Sequence, residues 1–74
     1  MSDWKQRLNA AEADAERSEA AEHAAEARFR ALRAQGGEAH AVGSEEFGSW
    51  MAKRRATDAA WGAWAIVMDD KPAV

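Results

Sequence analysis

The sequence predicts an all-α fold, an antiparallel two-helix hairpin that is completed by oligomerisation or by docking on a larger partner. Alanine, the strongest helix former, supplies 20 of the 74 residues. Two long segments repeat apolar residues at intervals of three and four, and a pair of glycines lies between them. A single proline and the absence of tyrosine argue against a β fold, which needs turn residues and β-formers.

The first helix is predicted over about residues 3–35, a stretch that contains neither glycine nor proline. Its apolar positions run from Trp4 to Leu32 in steps of four and three, which is the heptad spacing of a coiled coil. Glu22 falls on this seam and weakens its middle. The Gly36-Gly37 pair then offers a left-handed stop.

The second helix is predicted over about residues 45–68, after a link at residues 36–44. Ser44 suits the N-cap position, and acidic residues follow it in the first turn. Residues 69–74 are expected to form a short C-terminal tail, since they contain the proline. The whole chain, residues 1–74, is therefore expected to form a single hairpin.

Two glycines, Gly48 and Gly62, lie inside the second predicted helix. Glycine in a helix interior costs about 1 kcal/mol relative to alanine, so each position is expected to have a structural reason. We expect a close backbone approach or a frayed first turn at these positions.

The two predicted helices pair if the chain folds back about the middle of the link. This register brings Glu22 and Glu26 near the Arg54-Arg55 pair, so that the polar interruptions of the two seams coincide. It also leaves Trp4 and Leu8 beyond the end of the shorter second helix. We expect these two side chains to fold under the C-terminal tail or to meet another chain.

Bulky apolar side chains are too few for a self-sufficient core. Valine, isoleucine, leucine, methionine, phenylalanine and tryptophan together supply 15 residues, and Phe29 and Leu32 are the predicted intramolecular core. A single layer of two helices with so few large side chains is expected to need a homo-oligomer or a hetero-complex. The residues predicted to contact the partner protein are Trp4, Leu8, Trp50, Trp61, Trp64 and Met68.

The first predicted helix carries a second face, which consists mainly of alanines between Ala10 and Ala34. Small side chains permit close approach of another helix. A four-helix bundle made of two hairpins is therefore one expected assembly.

A basic cluster lies toward the link end of the predicted hairpin. With Trp50 among them, these side chains offer a grip for a phosphate backbone, so a small nucleic-acid-binding regulator is the alternative function. Three glutamates in the same region offset part of the charge. The cluster consists of Arg28, Arg30, Arg33, Lys53, Arg54 and Arg55.

A third hypothesis uses the acidic part of the first helix, which includes Glu12, Asp14, Glu16 and Glu19. Carboxylates in this arrangement could imitate a nucleic-acid strand for a basic protein. The net charge of −3 suits such a partner, although solvated acidic faces are also common on long helices.

The sequence predicts no catalytic, metal or cofactor site. A nucleophile, a base and an orienting residue do not stand in a recognisable arrangement, and no glycine-rich loop follows a strand. A metal site at His23 would need two more ligands from elsewhere, and His40 is the only further nitrogen candidate because cysteine is absent. We therefore expect a non-enzymatic interaction protein, either self-associating or an accessory subunit of a larger assembly.

The chain is expected to be cytoplasmic or virion-internal. Its first nine residues are charged and polar and lack the apolar stretch of a signal peptide. The longest apolar run, residues 59–68, is about half of the roughly 20 residues needed to cross a bilayer. We therefore expect no transmembrane helix.

Overall fold

A computed structural model describes residues 3–72 and contains three helices: α1 (Asp3–Gly36), α2 (Glu38–Val42) and α3 (Glu45–Asp69). Helices α1 and α3 pack against each other in opposite directions and form a rod with extents of 56 × 14 × 14 Å. The prediction of an all-α hairpin is confirmed, and both long helices end within one residue of their predicted ends. The predicted single unit also included residues 1–2 and 73–74, which lie outside the described residues.

The link between the long helices is more ordered than predicted, because it contains the single-turn helix α2. Helix α1 stops where Gly37 takes a φ of 86° and a ψ of 165°, a positive φ that favours glycine. The buried Ala41 anchors α2 against the hairpin. At the start of α3 the Ser44 hydroxyl accepts a 3.2 Å hydrogen bond from the Phe47 N–H, as predicted for an N-cap.

The two long helices are offset along the rod. Phe29, two turns before the end of α1, lies against Phe47 in the first turn of α3, with ring centroids 5.3 Å apart. Helix α1 therefore extends past the start of α3 by more than one turn, about 7 Å. Helix α2 occupies this step and returns the chain toward α3. Because α3 is shifted by about 7 Å along the rod, its C-terminal end lies that much closer to the start of α1 than it would in a hairpin without the offset.

The displaced end of α3 is closed by side chains from the first turns of α1. The last carbonyl groups of a helix lack intrahelical partners, and Trp4 donates its indole N–H to the Val67 carbonyl at 2.6 Å. Arg7 lies 3.2 Å from Asp70 and brings positive charge to a helix end that has no basic residue of its own. The prediction that Trp4 projects beyond the second helix is therefore wrong, and Leu8, one turn later, is half-buried.

The predicted charge pairing between the helices is also wrong. Glu26 accepts hydrogen bonds of 2.6 and 3.0 Å from Arg30, one turn along its own helix. Arg54 and Arg55 are exposed and make no ion pair with α1 in the described part of the chain. The offset shifts the two polar regions past each other, and a partner at i+4 on the same helix is within reach without any tertiary ordering.

The core of the hairpin is thin. Its buried apolar residues are Phe29 and three alanines (Ala15, Ala25 and Ala41), and no large side chain among the described residues is fully buried. Phe29 is 5% exposed and stacks on Trp50 with ring centroids 5.1 Å apart, which confirms it as core. Leu32, the other predicted core residue, is only half-buried. The hairpin therefore depends on one aromatic cluster near the link.

The stability of the hairpin should depend more on Phe29 than on the larger but less buried Trp64. Phe29→Ala should lower the free energy of unfolding by about 3–5 kcal/mol, which is the cost of truncating a buried aromatic side chain. Trp64→Ala should cost clearly less, since part of its ring already contacts solvent. Urea denaturation followed by circular dichroism measures both. A larger loss for the Trp64 variant in the isolated chain would contradict this assignment of the core.

The two glycines inside α3 do not mark close backbone approaches. A Cβ added at Gly48 or Gly62 would meet no atom within 4 Å, and both residues are exposed. The predicted close approach is therefore absent within the hairpin, and the first turn of α3 is hydrogen-bonded at Gly48, whose N–H donates to the Ser44 carbonyl at 3.3 Å. Gly37 differs from both, because its φ of 86° strains any residue that has a Cβ.

Gly62→Ala should raise the free energy of unfolding by about 1 kcal/mol, because alanine favours the helix and has room at this position. Gly37→Ala is the matched control and should lower it by about 1 kcal/mol, owing to its positive φ. Thermal and urea denaturation of the two variants should therefore shift in opposite directions. Destabilisation by Gly62→Ala would mean that the helix packs more closely at this position than the structure indicates.

Candidate interaction surfaces

Apolar side chains remain exposed at the open end of the hairpin, the end opposite the link. Ile66 is 73% exposed and Met68 is 40% exposed, while Trp4 is half-buried. Ile66 and Val67 also line a shallow cleft of about 240 Å³ together with Arg7, Asp69 and Asp70. We call Trp4, Ile66, Val67 and Met68 the open-end group. It combines an apolar surface with a rim of charged side chains, the usual composition of a protein contact site.

A pair of indoles lies next to the open-end group and precedes it in α3. Trp61 and Trp64 pack edge to face with ring centroids 5.5 Å apart. Both are only half-buried by the hairpin. Their mutual contact fixes the ring orientations and leaves apolar surface that another chain can cover.

Trp50, a predicted contact residue, belongs to a cluster inside the hairpin. It lies between Phe29 and Phe47, with centroid distances of 5.1 and 6.2 Å. Its indole N–H is buried and has no hydrogen-bond partner within residues 3–72. Trp50 therefore contributes more to the fold than to a contact surface, and its unpaired N–H costs about 1–3 kcal/mol.

Ile66 is a surface residue outside the predicted contact residues. Those residues lie on the heptad seam, whereas Ile66 lies two positions after Trp64 and off that seam. A large β-branched residue on the solvent side of an amphipathic helix was the available signal. Leu8 and Met68 do lie on the seam, and the structure leaves Leu8 half-buried and Met68 exposed.

The structure places the basic cluster in one half of the rod but not on one face. All six side chains are exposed. Arg28 and Arg30 are two positions apart on α1 and therefore project to nearly opposite sides of the helix. Arg30 is paired with Glu26, and the Arg33 guanidinium lies 5.9 Å from the centre of the Phe29 ring. In residues 3–72 the other four, Arg28, Lys53, Arg54 and Arg55, have no carboxylate within ion-pair distance.

Charge is distributed unequally along the rod. Since Phe29 lies against Phe47, residue 56 of α3 lies about level with residue 20 of α1, and the half near the link is residues 20–56. It holds six basic and five acidic side chains, whereas residues 3–19 and 57–72 hold four basic and eight acidic side chains. The rod therefore has a nearly neutral half at the link and a negative half at the open end.

The acidic residues proposed as a nucleic-acid mimic do not form a uniform strip. Asp14 is paired with Arg17, and Glu19 is partly buried, whereas Glu12 and Glu16 are exposed. One of the four carboxylates is therefore paired within the hairpin and another is partly buried. This arrangement gives the mimic hypothesis less support than the sequence suggested.

Within residues 3–72 no group of three or more histidine, aspartate or glutamate side chains is arranged to hold a metal ion. The helices of this same region are too short or too polar to cross a membrane. Comparison with protein-family models, characterised proteins and solved structures gives no match. The physical properties of the surfaces are therefore the basis for any functional proposal.

Proposed function

We propose that this chain is a non-enzymatic interaction protein whose open end is covered by another protein chain, either a further copy or a larger assembly. The observation that carries this proposal is the distribution of burial. Phe29 is the only large apolar residue in the described part of the chain that the hairpin buries, while Ile66 and Met68 stay exposed. A protein that leaves its scarce large side chains in solvent loses stabilisation that a partner can restore.

The aromatic side chains support the same proposal. Indoles are the side chains that most often dominate the energetics of protein contacts, because they bury a large area with few rotatable bonds. Trp61 and Trp64 hold each other in a fixed orientation and are half-buried. Trp4 is also held in place, by its hydrogen bond to Val67. These rigid, half-covered rings need little further ordering when a partner binds.

The proposal predicts that position 66 contacts a partner protein in the cell. A photo-crosslinking amino acid at position 66 of the full chain should give a discrete covalent adduct with one protein. The same amino acid at Ala52, which is exposed on the link half of α3, is the matched control and should give little adduct. The crosslinked protein, once identified and purified, should bind Ile66→Glu at least about tenfold more weakly, because a carboxylate would be desolvated.

The Ala52→Glu variant should bind that protein normally, and circular dichroism should find both glutamate variants as helical as the parent. Equal adducts at positions 52 and 66 would count against a contact surface at the open end. Binding of the Ile66→Glu variant with unchanged affinity would also count against it.

A small nucleic-acid-binding regulator is the second candidate function. Four of the six cations of the basic cluster lack a carboxylate partner in residues 3–72. Unpaired surface cations are what a phosphate backbone neutralises. Because the six side chains project from several faces, a bound strand would have to follow the link end around the rod.

This second function predicts binding that weakens steeply with salt. Labelled DNA duplexes and single-stranded RNA should raise fluorescence anisotropy at low ionic strength, and the logarithm of affinity should fall linearly with the logarithm of salt concentration. Changing Arg28, Arg30, Lys53 and Arg54 together to glutamine should abolish the signal. Changing Lys5, Arg17 and Lys71 to glutamine removes cations from the other half and should leave most of it. Anisotropy that stays flat at low salt would eliminate this function.

A further inference from the structure

The outer face of α1, opposite α3, is a continuous seam of small side chains. Every third and fourth residue from Ala10 to Ala34 is alanine, except Arg17. All of these residues are exposed in the hairpin. Alanine alone is explained by helix propensity. The charged residues beside the seam require a second explanation.

Charged residues border the seam along both of its flanks, and their sign changes about residue 22. One flank carries Asp14 before residue 22 and Arg28 after it. The other flank carries Glu16 before residue 22 and Arg30 after it. On each flank the acidic and the basic residue lie at nearly the same distance from residue 22. This pattern is self-complementary under a twofold rotation, which is the symmetry of most homodimers.

An antiparallel pair of α1 helices centred near residue 22 satisfies the whole pattern. Antiparallel helices bring equivalent flanks together, so Asp14 meets Arg28 of the other copy and Glu16 meets Arg30 of the other copy. Along the seam Ala13 then lies opposite Ala31 and Ala20 lies opposite Ala24, while Arg17 lies opposite Ala27. A shift of one heptad in either direction breaks both charge pairs.

A parallel pair does not use these charges. In a parallel coiled coil the flank that holds Glu16 and Arg30 meets residues five positions further along the other copy. Glu16 would then face an alanine and Arg30 would face Gln35. The sequence of the flanks therefore selects the antiparallel orientation.

Unsatisfied charges in the hairpin match this arrangement. In residues 3–72 Arg28 has no carboxylate partner and Glu16 has no basic partner, and both are exposed. Their proposed counterparts, Asp14 and Arg30, are each held by one neighbour on the same helix, Arg17 and Glu26. Each proposed pair thus joins a side chain that has an ion-pair partner in its own helix to one that has no such partner in residues 3–72.

We propose that a second copy of this chain packs against the outer face of α1 in antiparallel orientation, with the twofold axis near residue 22. This contact is separate from the open end and extends the proposed interaction function to a specific homodimer. Alanine seams allow helix axes to approach to about 8 Å, the short end of the usual range. The seam is about 36 Å long and one helix wide, about half a standard interface, which is the size of weak, transient contacts. We therefore expect a dissociation constant in the micromolar range or weaker.

The dimer gives the protein two equivalent contact ends. With the axis near residue 22, the two copies of Trp4 lie about 54 Å apart at 1.5 Å per residue. The open-end groups therefore point in opposite directions from a central pair of helices. A symmetric assembly of this kind can join two identical partner surfaces, and two linked contacts bind more tightly than either does alone.

Cysteine crosslinking tests the orientation directly, because the chain contains no cysteine of its own. The A13C and A31C variants, mixed and oxidised with glutathione at high micromolar concentration, should form a disulfide with each other and not with themselves. A65C, exposed on α3, is the control and should join neither. Self-linked A13C, which a parallel pair requires, would overturn the proposal. Equal yields for all three variants would also overturn it, because they would indicate random collision.

Charge reversal tests the register. D14K/E16K makes all four flank charges positive, and R28E/R30E makes them all negative. Each variant alone should sediment as a monomer, with a dissociation constant at least about tenfold above that of the parent. A one-to-one mixture should form a dimer, since every pair becomes complementary. Self-association of both variants at the parent's affinity, or a mixture that stays monomeric while circular dichroism remains helical, would overturn it.

The two proposals fail separately. Ile66→Glu should leave this dimer unchanged, because position 66 is not on α1. A parent chain that stays monomeric at all concentrations would remove the homodimer, and it would leave contact of the open end with another protein to be decided by crosslinking from position 66.

Discussion

The main constraint on this protein is that two helices can cover only one side of each other. Each long helix has one seam against its neighbour, and the rest of its surface faces solvent. With only 15 residues larger than alanine among its apolar side chains, the chain cannot afford to leave many of them outside that seam. Within residues 3–72 it nevertheless leaves Val42, Ile66 and Met68 exposed, and Phe29 is the only large apolar side chain that it buries. Both proposed contacts follow from this distribution, since a further chain is the available means of covering more surface.

The two ends of the hairpin are closed in different ways, and the difference decides where it can bind. At the link, Gly37 stops α1, Ser44 caps α3, and the cluster around Phe29 excludes water. At the open end, closure depends on one hydrogen bond from Trp4 and one exposed ion pair between Arg7 and Asp70. Exposed ion pairs contribute little to stability, about 0–1 kcal/mol. The open end is therefore the part of the hairpin where an additional contact stabilises the most.

Local signals predicted the helices, whereas the contacts between them needed the structure. Gly37 and Ser44 act on neighbouring backbone groups, so their effect on helix ends is readable from sequence. The offset between α1 and α3 depends on α2, a single turn with little periodicity, and an error of a few residues there moved every predicted pair. For that reason Trp4 was wrongly predicted to lie beyond α3, and Glu26 was wrongly predicted to lie near Arg54 and Arg55. Ile66 lies off the heptad seam, so the spacing that predicted the other contact residues did not predict its exposure.

The most direct test of this account is the melting temperature of the purified chain, followed by circular dichroism, over a wide range of protein concentrations. A thin hairpin that gains stability from a second copy binds that copy only when folded, so its melting temperature should rise with concentration. The rise should appear in the micromolar range and should be absent in a variant whose flank charges all have one sign. A high melting temperature that does not change with concentration would mean that a single copy is self-sufficient, and it would contradict the account.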